Sequence, residues 1–330
     1  MNVTPRSATL AVALGLAAAI VAGCRREPPV GGPLRLGYFP NVTHAQALVG
    51  VDDGTIAREL GGRLEARMFN AGPAAMEALL AGNLDASYVG AGPAVIAYLR
   101  SEGGLRVVAG AVSGGAVLVV RDARSAEDLV GRRVGTPQLG NTQDVALRTW
   151  LRSNGLSDRG GPLGVEVTPL SNPDLLSMFV RGGLAGAWVP EPWGARLVVE
   201  AGGRILVDER TLWEGGRFPT TVLVVSRRAL ERRPGDVAAL LRAHVALTQR
   251  WRSDLAGFGR LANAAYGRRT GKPLSDPVLQ DALSRLEPLS DPMAPQLARM
   301  AVQAQALGFA AAGDTSGMVD ATLLREVARQ

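Results

Sequence analysis

The sequence predicts an α/β fold of two lobes, with mixed, mostly parallel sheets and a helical C-terminal tail. Three observations carry that expectation. Strand and helix patterns alternate from residue 34 to about 223. A helix–strand–turn unit recurs after one hundred residues. The 330 residues exceed what one compact core usually holds.

The elements follow in order. Leu34–Tyr38 reads as a short strand, and Pro40-Asn41-Val-Thr43-His44-Ala-Gln46 opens a helix that runs through Leu48. Leu64–Phe69 is a second strand. Pro73 stands at the first position of a helix, where its missing N–H costs nothing, and that helix ends near Gly82. Asp85–Val89 is strand, and Gly90-Ala-Gly92-Pro93 turns into the helix Ala94–Arg100. Arg106–Val112 and Ala116–Arg121 are strands around Ser113-Gly114-Gly115. Ser125-Ala-Glu-Asp128 has the form of a capping box. Arg133–Thr136 is strand, and Asn141-Thr-Gln-Asp144 caps a helix to Leu151. From Arg227 the pattern is helical nearly to the end, with Pro234, Pro277 and Pro292 marking starts.

The repeat aligns Pro73 with Pro173, Gly82 with Gly182, Leu84 with Leu184, Tyr88 with Trp188 and Val89 with Val189. Each half reads as a Pro-started helix, a Gly stop, a strand, and a Pro-containing turn into another helix. The two strand-end turns, Gly90-Ala-Gly-Pro93 and Pro190-Glu-Pro-Trp193, would then face each other across a cleft. Ligands of open α/β sheets bind at the carboxyl ends of strands, beside helix N-termini.

Composition narrows the function. Hydrophobic residues make up 47% of the chain and charged residues 20%, which suits a packed core and excludes a disordered chain. The net charge is +6, carried almost wholly by arginine; Lys272 is the one lysine. The arginines lie beside acids instead of forming a basic stripe with aromatics, which argues against a nucleic-acid partner. The mild positive field favours an anionic ligand. With one cysteine there is no intramolecular disulfide, and with two histidines no zinc cluster; no cofactor is expected. Gly-x-Ser-x-Gly, His-x-x-x-His and Walker motifs are missing, so binding without catalysis is the expectation.

The cysteine sits where it informs. Arg6 precedes an apolar run from Ala8 to Ala22 that is short for a membrane span. A basic start, a short apolar stretch and small residues before a cut make a secretory signal over residues 1–23. The ending Val21-Ala-Gly-Cys24 resembles the bacterial lipobox, which implies cleavage before Cys24 and lipid attachment to it. Residues 24–33 would be a polar tether, placing the protein in the periplasm or at the cell surface, anchored to a membrane.

Leu36-Gly-Tyr-Phe-Pro-Asn-Val-Thr-His-Ala-Gln46, Gly135-Thr-Pro-Gln-Leu-Gly-Asn-Thr-Gln-Asp-Val-Ala-Leu147 and Glu191-Pro-Trp193 resemble the nitrate/sulfonate/taurine class of ABC-transporter solute-binding proteins. The resemblance runs over about residues 34–252. It implies a periplasmic-binding-protein fold of type II-like form, a closing cleft, and delivery of a small anion to inner-membrane permease subunits. Lobe I would comprise 34–122 plus 224–330 and lobe II 123–223, with hinges near 121–123 and 221–225. The thiamine-pyrimidine synthases resemble the same fold, so an enzyme of that type is the alternative, as is a lipoprotein sensor domain.

For the site, Asn41, Thr43, Asn141 and Thr142 stand at helix starts, where unpaired N–H groups and the positive dipole end favour an anion. Asn41 and Asn141 would equally serve as plain N-caps. Gly90, Gly92, Gly114 and Gly140 let backbone approach a ligand, and Ser113 and Gln138 in the neighbouring turns complete the set. His44 is either a ligand contact, able to carry charge below neutral pH, or a capping or packing residue. Trp193 is expected to wall the cleft, Trp188 and His244 to be structural, Asp144 to be a capping partner and Glu191 to latch the lobes or orient a donor. No arginine in the three motifs supplies a bidentate clamp.

Overall fold

The computed structural model describes residues 31–329. The expected signal segment, the Cys24 lipidation site and most of the 24–33 tether lie outside the described residues. Pro33–Gln330 forms one compact unit.

β1 (Leu34–Tyr38) passes through a single 3₁₀ turn (Val42–His44) into α1 (Ala45–Asp52), and α2 (Thr55–Glu59) follows. Then come β2 (Leu64–Met68), α3 (Gly72–Leu80), β3 (Ala86–Gly90), α4 (Ala91–Arg100) and the long β4 (Leu105–Gly114). The next stretch comprises β5 (Ala116–Val120), β6 (Arg133–Thr136), α5 (Thr142–Ser153), β7 (Glu166–Pro169), α6 (Asn172–Val180), β8 (Gly186–Pro190), α7 (Trp193–Val199) and β9 (Arg204–Asp208). Last are β10 (Pro219–Ser226), α8 (Arg227–Arg232), α9 (Pro234–Ser253), α10 (Leu255–Thr270), α11 (Asp276–Leu283), β11 (Leu286–Pro288), α12 (Ala294–Ala306) and α13 (Thr322–Val327).

Local chemistry sets these boundaries. Pro stands in the first turn of α3, α6, α9 and α11, and Asn141, Ser171, Ser226 and Asp254 accept N–H bonds as N-caps. Two boundaries differ from expectation. α12 starts at Ala294 with Pro295 in its first turn, because Met293 takes a left-handed φ of 57° and ends the extended segment after Pro292. Ser125–Asp128 yields only a 3₁₀ turn, although the Asp128 carboxylate does accept the N–H groups of Arg124 and Ser125.

The strands form two sheets, ordered β11-β4-β10-β3-β1-β2 and β7-β6-β8-β5-β9. Each contains a parallel triad, β2-β1-β3 and β7-β6-β8. Parallel pairing stops there. β10 joins β3 and β4 antiparallel, and β5 joins β8 and β9 antiparallel. The sheets are mixed as expected, but the strands that enter from the other half run against the triads. The two triads share their helix and strand at an offset of one hundred residues. They also share a constraint: a Cβ on Gly37 of β1 would meet Leu84 Cδ1 at 2.8 Å, and one on Gly135 of β6 would meet Leu184 Cδ1 at 3.0 Å.

Helices cover both faces of each sheet. α1, α9 and α10 pack one face of the first sheet around Leu36, Leu240 and Trp251, and α3, α4 and α12 pack the other around Met76, Val95 and Leu297. The second sheet lies between α5 on one side and α6 with α7 on the other. β5 (Ala-Val-Leu-Val-Val) is therefore wholly buried and reads as an unbroken apolar run. The chain leaves the first sheet at Gly114–Gly115, both with φ near 75°, and returns between Asp208 and Pro219. Both passages lie ahead of the stretches 121–123 and 221–225 read from the sequence as hinges: residues 121–123 already follow β5 of the second sheet, and 221–225 lie inside β10.

Candidate functional site

The starts of α1, α3, α4, α5 and α6 converge on one cavity at the ends of the two triads. It offers the centre of a water molecule about 40 Å³, enough for a group of a few atoms. Asn41, Thr43 and His44 reach it from the turn before α1, Gly90 from the end of β3, and Asn141 and Thr142 from the start of α5. The sequence reading missed Asn70 and Gly72 at α3, Asn172 at α6, and Thr220 and Thr221 on β10. Asn70 and Asn172 flank the two Pro-started helices of the repeat, a signal open to use; Thr221 belongs to no motif. Among the described residues no charged side chain lines the cavity.

Three buried polar atoms on this wall have no partner: His44 Nδ1, Asn172 Oδ1 and Thr221 Oγ1. Leaving such a group unsatisfied typically costs about 1–3 kcal/mol, a cost that a polar group entering the cavity would offset. Asn141 is a cap after all, its Oδ1 accepting from Asp144 N at 2.9 Å. Its amide Nδ2 is left to offer the cavity. Asn41 caps nothing; its Oδ1 accepts from Trp193 Nε1 at 3.2 Å, a bond between the two sheets' sides. A second such bond runs from Gly92 N to Thr142 Oγ1 at 3.0 Å. Asp144 ties the loop before α5 together, accepting from Thr136 Oγ1, Gly140 N and Arg148 Nε.

The remaining expected contacts lie elsewhere. Gly92 has its N–H committed to Thr142, and a Cβ there would sit 2.8 Å from Thr142 Cα. Ser113 and Gly114 end β4 at the passage between sheets, where Ser113 Oγ accepts from Phe218 N and the Gly114 carbonyl accepts from Thr220 Oγ1. Gln138 is absent from the cavity wall, its Oε1 buried without a partner. Gly140 lines a separate apolar pocket with Leu139 and Phe309. Trp193 walls a larger chamber next to the cavity.

Of the two readings of His44, its surroundings favour a neutral ring. Burial, with no acid beside the ring, holds its pKa down at about 3, so the imidazole is neutral near pH 7 and stacks at 4.5 Å on Phe39. Trp188 and His244 are core residues, Trp188 bonded to Glu209 at 2.8 Å and His244 Nδ1 to Tyr88 Oη at 3.0 Å. Glu191 is fully buried; its Oε1 accepts from Arg285 Nε at 2.7 Å and its Oε2 from Ala195 N at 2.9 Å. Arg285 precedes β11 of the first sheet and Glu191 follows β8 of the second, so this ion pair spans the two.

Two matched parallel triads, each completed by a strand from the other half, with helix starts gathered at one cavity, make up the periplasmic-binding-protein fold. The chain belongs to the NMT1-like family, whose model matches residues 27–264. It is 28% identical over 201 residues to the taurine-binding periplasmic protein of Escherichia coli K12, a match covering 60% of this chain and 61% of that protein's length. Its fold matches the alkanesulfonate-binding protein SsuA from Xanthomonas axonopodis bound to MOPS, with a TM-score of 0.69 and 21% identity over 91% of this chain and 98% of that one. It likewise matches the nitrate-binding protein NrtA from Synechocystis, with a TM-score of 0.77 and 15% identity over 90% and 88%. All three relatives are binding proteins by name, and the taurine and nitrate proteins are periplasmic.

Proposed function

We propose that the chain is the lipid-anchored extracytoplasmic receptor of an ABC importer, and that it captures a small anion such as a sulfonate head, taurine or nitrate in the cavity between its sheets. The observation that supports this is the convergence of helix starts and unpartnered buried polar atoms on a cavity without any charged side chain. Helix N–H groups and dipoles stabilise a single negative charge without a counter-ion, and their preorganisation spares the ligand the cost of ordering arginine side chains. A volume of about 40 Å³ fits an oxyanion head and excludes a larger body. The two sheets, with their helices, are the lobes, and Gly114–Gly115 and residues 209–218 are the hinges. Cys24 carries the lipid, and the permease receives the closed form.

Calorimetry tests the reading with methanesulfonate, taurine and nitrate against uncharged dimethyl sulfone. One or more of the anions should bind and be returned unchanged, while the sulfone should not. Asn141→Gly should weaken binding about tenfold by losing an amide donor to a charged ligand, at a cost of only a few tenths of a kcal/mol in stability. Binding of the sulfone as tight as that of the anions would overturn the anion assignment. For the anchor, Cys24→Ser should abolish palmitate labelling; continued labelling would remove the lipobox assignment.

A further inference from the structure

The 40 Å³ cavity opens beside a chamber of about 700 Å³, and Asn41, Asn70 and Asn172 belong to the walls of both. The chamber's size is in the range of sites for organic molecules and well beyond that of a lone inorganic ion. Its chemistry also differs from the cavity's. Trp193 and Tyr266 supply aromatic wall, and Arg196, Arg269 and Lys272 supply positive charge against one acid, Glu200. Arg196 is already engaged, bonded to Glu200 at 3.0 Å and stacked 4.8 Å from the Trp193 ring centroid. Arg269 spends Nε on Tyr38 Oη and reaches Asp52 only at 3.6 Å. The Lys272 ammonium has no partner among the described residues, and it is the chain's only lysine. Every acid in the chamber wall is therefore used, while a cation remains open.

We propose that this chamber is a second subsite, and that the ligand is an elongated organic anion with an oxyanion head, an aromatic or alicyclic body, and a second acidic group met by Lys272 with Arg269. This deepens the anion reading above and rests on it. The head would be read by neutral donors, which tolerate a single charge, and the tail by mobile cations at the chamber, which select for a second charge. A compact ammonium on a flexible stem suits an acidic group whose position varies among ligands; a rigid guanidinium fork suits it less.

The test uses the intact chain and calorimetry with methanesulfonate, benzenesulfonate, and 3- and 4-sulfobenzoate, at low and physiological salt. Benzenesulfonate should bind more tightly than methanesulfonate because its ring is buried in the chamber. At least one sulfobenzoate should gain about a further fivefold at low salt, the size of a partly screened charge contact. Lys272 is exposed and partnerless, so Lys272→Met should leave the melting temperature and methanesulfonate affinity unchanged while erasing the sulfobenzoate gain. Lys272→Glu should turn that gain into a loss. Methanesulfonate binding with no gain for either sulfobenzoate, or a Lys272→Met variant that keeps the gain, overturns the second subsite and leaves the head cavity standing. If none of the four probes binds, this proposal falls, and the anion reading is then decided by taurine and nitrate alone.

Discussion

Two of the contacts between the two sheets' sides differ in kind. At the passage between them, Glu191 and Arg285 form a buried ion pair, with Asp281 on the same guanidinium and the Glu191 N–H bonded to the Gly115 carbonyl at 2.9 Å. At the cavity the contacts are neutral and single: Trp193 to Asn41 and Gly92 to Thr142. The difference teaches where this molecule resists motion. Once one partner of a buried ion pair is removed, the other is stranded, so the pair holds firmly. A neutral bond exchanges for water at little net cost. Firm contacts at the pivot and exchangeable ones at the rim suit sheets that separate on one side while staying joined on the other.

The largest effect tests the pivot. Arg285→Met leaves the Glu191 carboxylate fully buried without a cation. Breaking a buried pair this way typically costs about 3–5 kcal/mol, a fall in melting temperature of roughly 5–10 °C for a chain of this size. Glu191→Gln together with Arg285→Met should recover part of the loss. Calorimetric melting of the single and double variants checks it, and a single variant that melts like the parent would remove the pivot from the comparison.

A second carboxyl sharpens the same region. Glu209 begins the return passage and is fully buried, bonded by the indole of Trp188 and near Trp213. Unlike Glu191 it has no arginine, and burial pushes its pKa up to about 7 from 4.5. The folded state therefore favours the protonated acid: the contribution is full below pH 4.5 and is lost as pH rises through 7. That difference corresponds to about 3 kcal/mol. The parent should lose stability between pH 5 and 8, and Glu209→Gln should flatten the curve. A variant as pH-dependent as the parent would show another group to be responsible.

Much of this architecture was legible in the sequence, and what was not had a physical reason. The triads could be read because both halves use the same Pro start, Gly stop and leucine spacing. Glu191 could be read as a latch from its misfit to an anion site, but its partner lies 94 residues on in a helical stretch without a motif. The passages were misplaced because Ser113-Gly114-Gly115 between two apolar runs looks like a hairpin turn. Its flanking strands instead enter different sheets, a choice made by tertiary pairing with β10 and β8. Of the cavity wall, Asn41, Thr43, His44, Gly90, Asn141 and Thr142 were picked out from local motifs, while Asn70, Gly72 and Asn172 were passed over although the repeat flanks them. Thr221 was not picked out, because a threonine in a buried strand looks the same whether its hydroxyl faces a ligand or a neighbour. For His44 the sequence leaves open a ligand contact able to carry charge or a packing residue, because it does not show the burial that lowers the ring's pKa.

The rim offers smaller effects. Thr221→Val removes a hydroxyl that has no partner in the protein, so stability should hold or rise slightly. If that hydroxyl meets the ligand, binding of an anion should weaken about tenfold. Unchanged affinity by calorimetry would place the ligand away from β10. His44 gives the matching pH control: with its pKa at about 3, affinity should be equal at pH 6 and 8. A rise toward pH 6 that His44→Gln abolishes would show that the ring is charged when ligand is bound.

The smallest effect is at Trp193. Trp193→Phe keeps an aromatic wall but deletes the Nε1 bond to Asn41, a neutral contact worth about 0.5–1.5 kcal/mol at most, and trims the ring that packs in the second sheet's core and beneath Arg196. The trimmed ring sits at the edge of the second sheet's core, so the melting temperature should fall by no more than a few degrees, well below the loss in Arg285→Met. The lost bond favours separation of the sheets and thereby lowers the fraction of molecules already competent to hold ligand. Apparent affinity falls by that fraction, about two- to tenfold, with a larger radius of gyration in the ligand-free state. The pivot variant should behave in the opposite way, losing stability far more than affinity. Small-angle scattering and calorimetry on both variants make the comparison directly. If Trp193→Phe destabilises the fold as much as Arg285→Met does, the rim is as firm as the pivot, and the two contacts do not divide the work of holding and releasing.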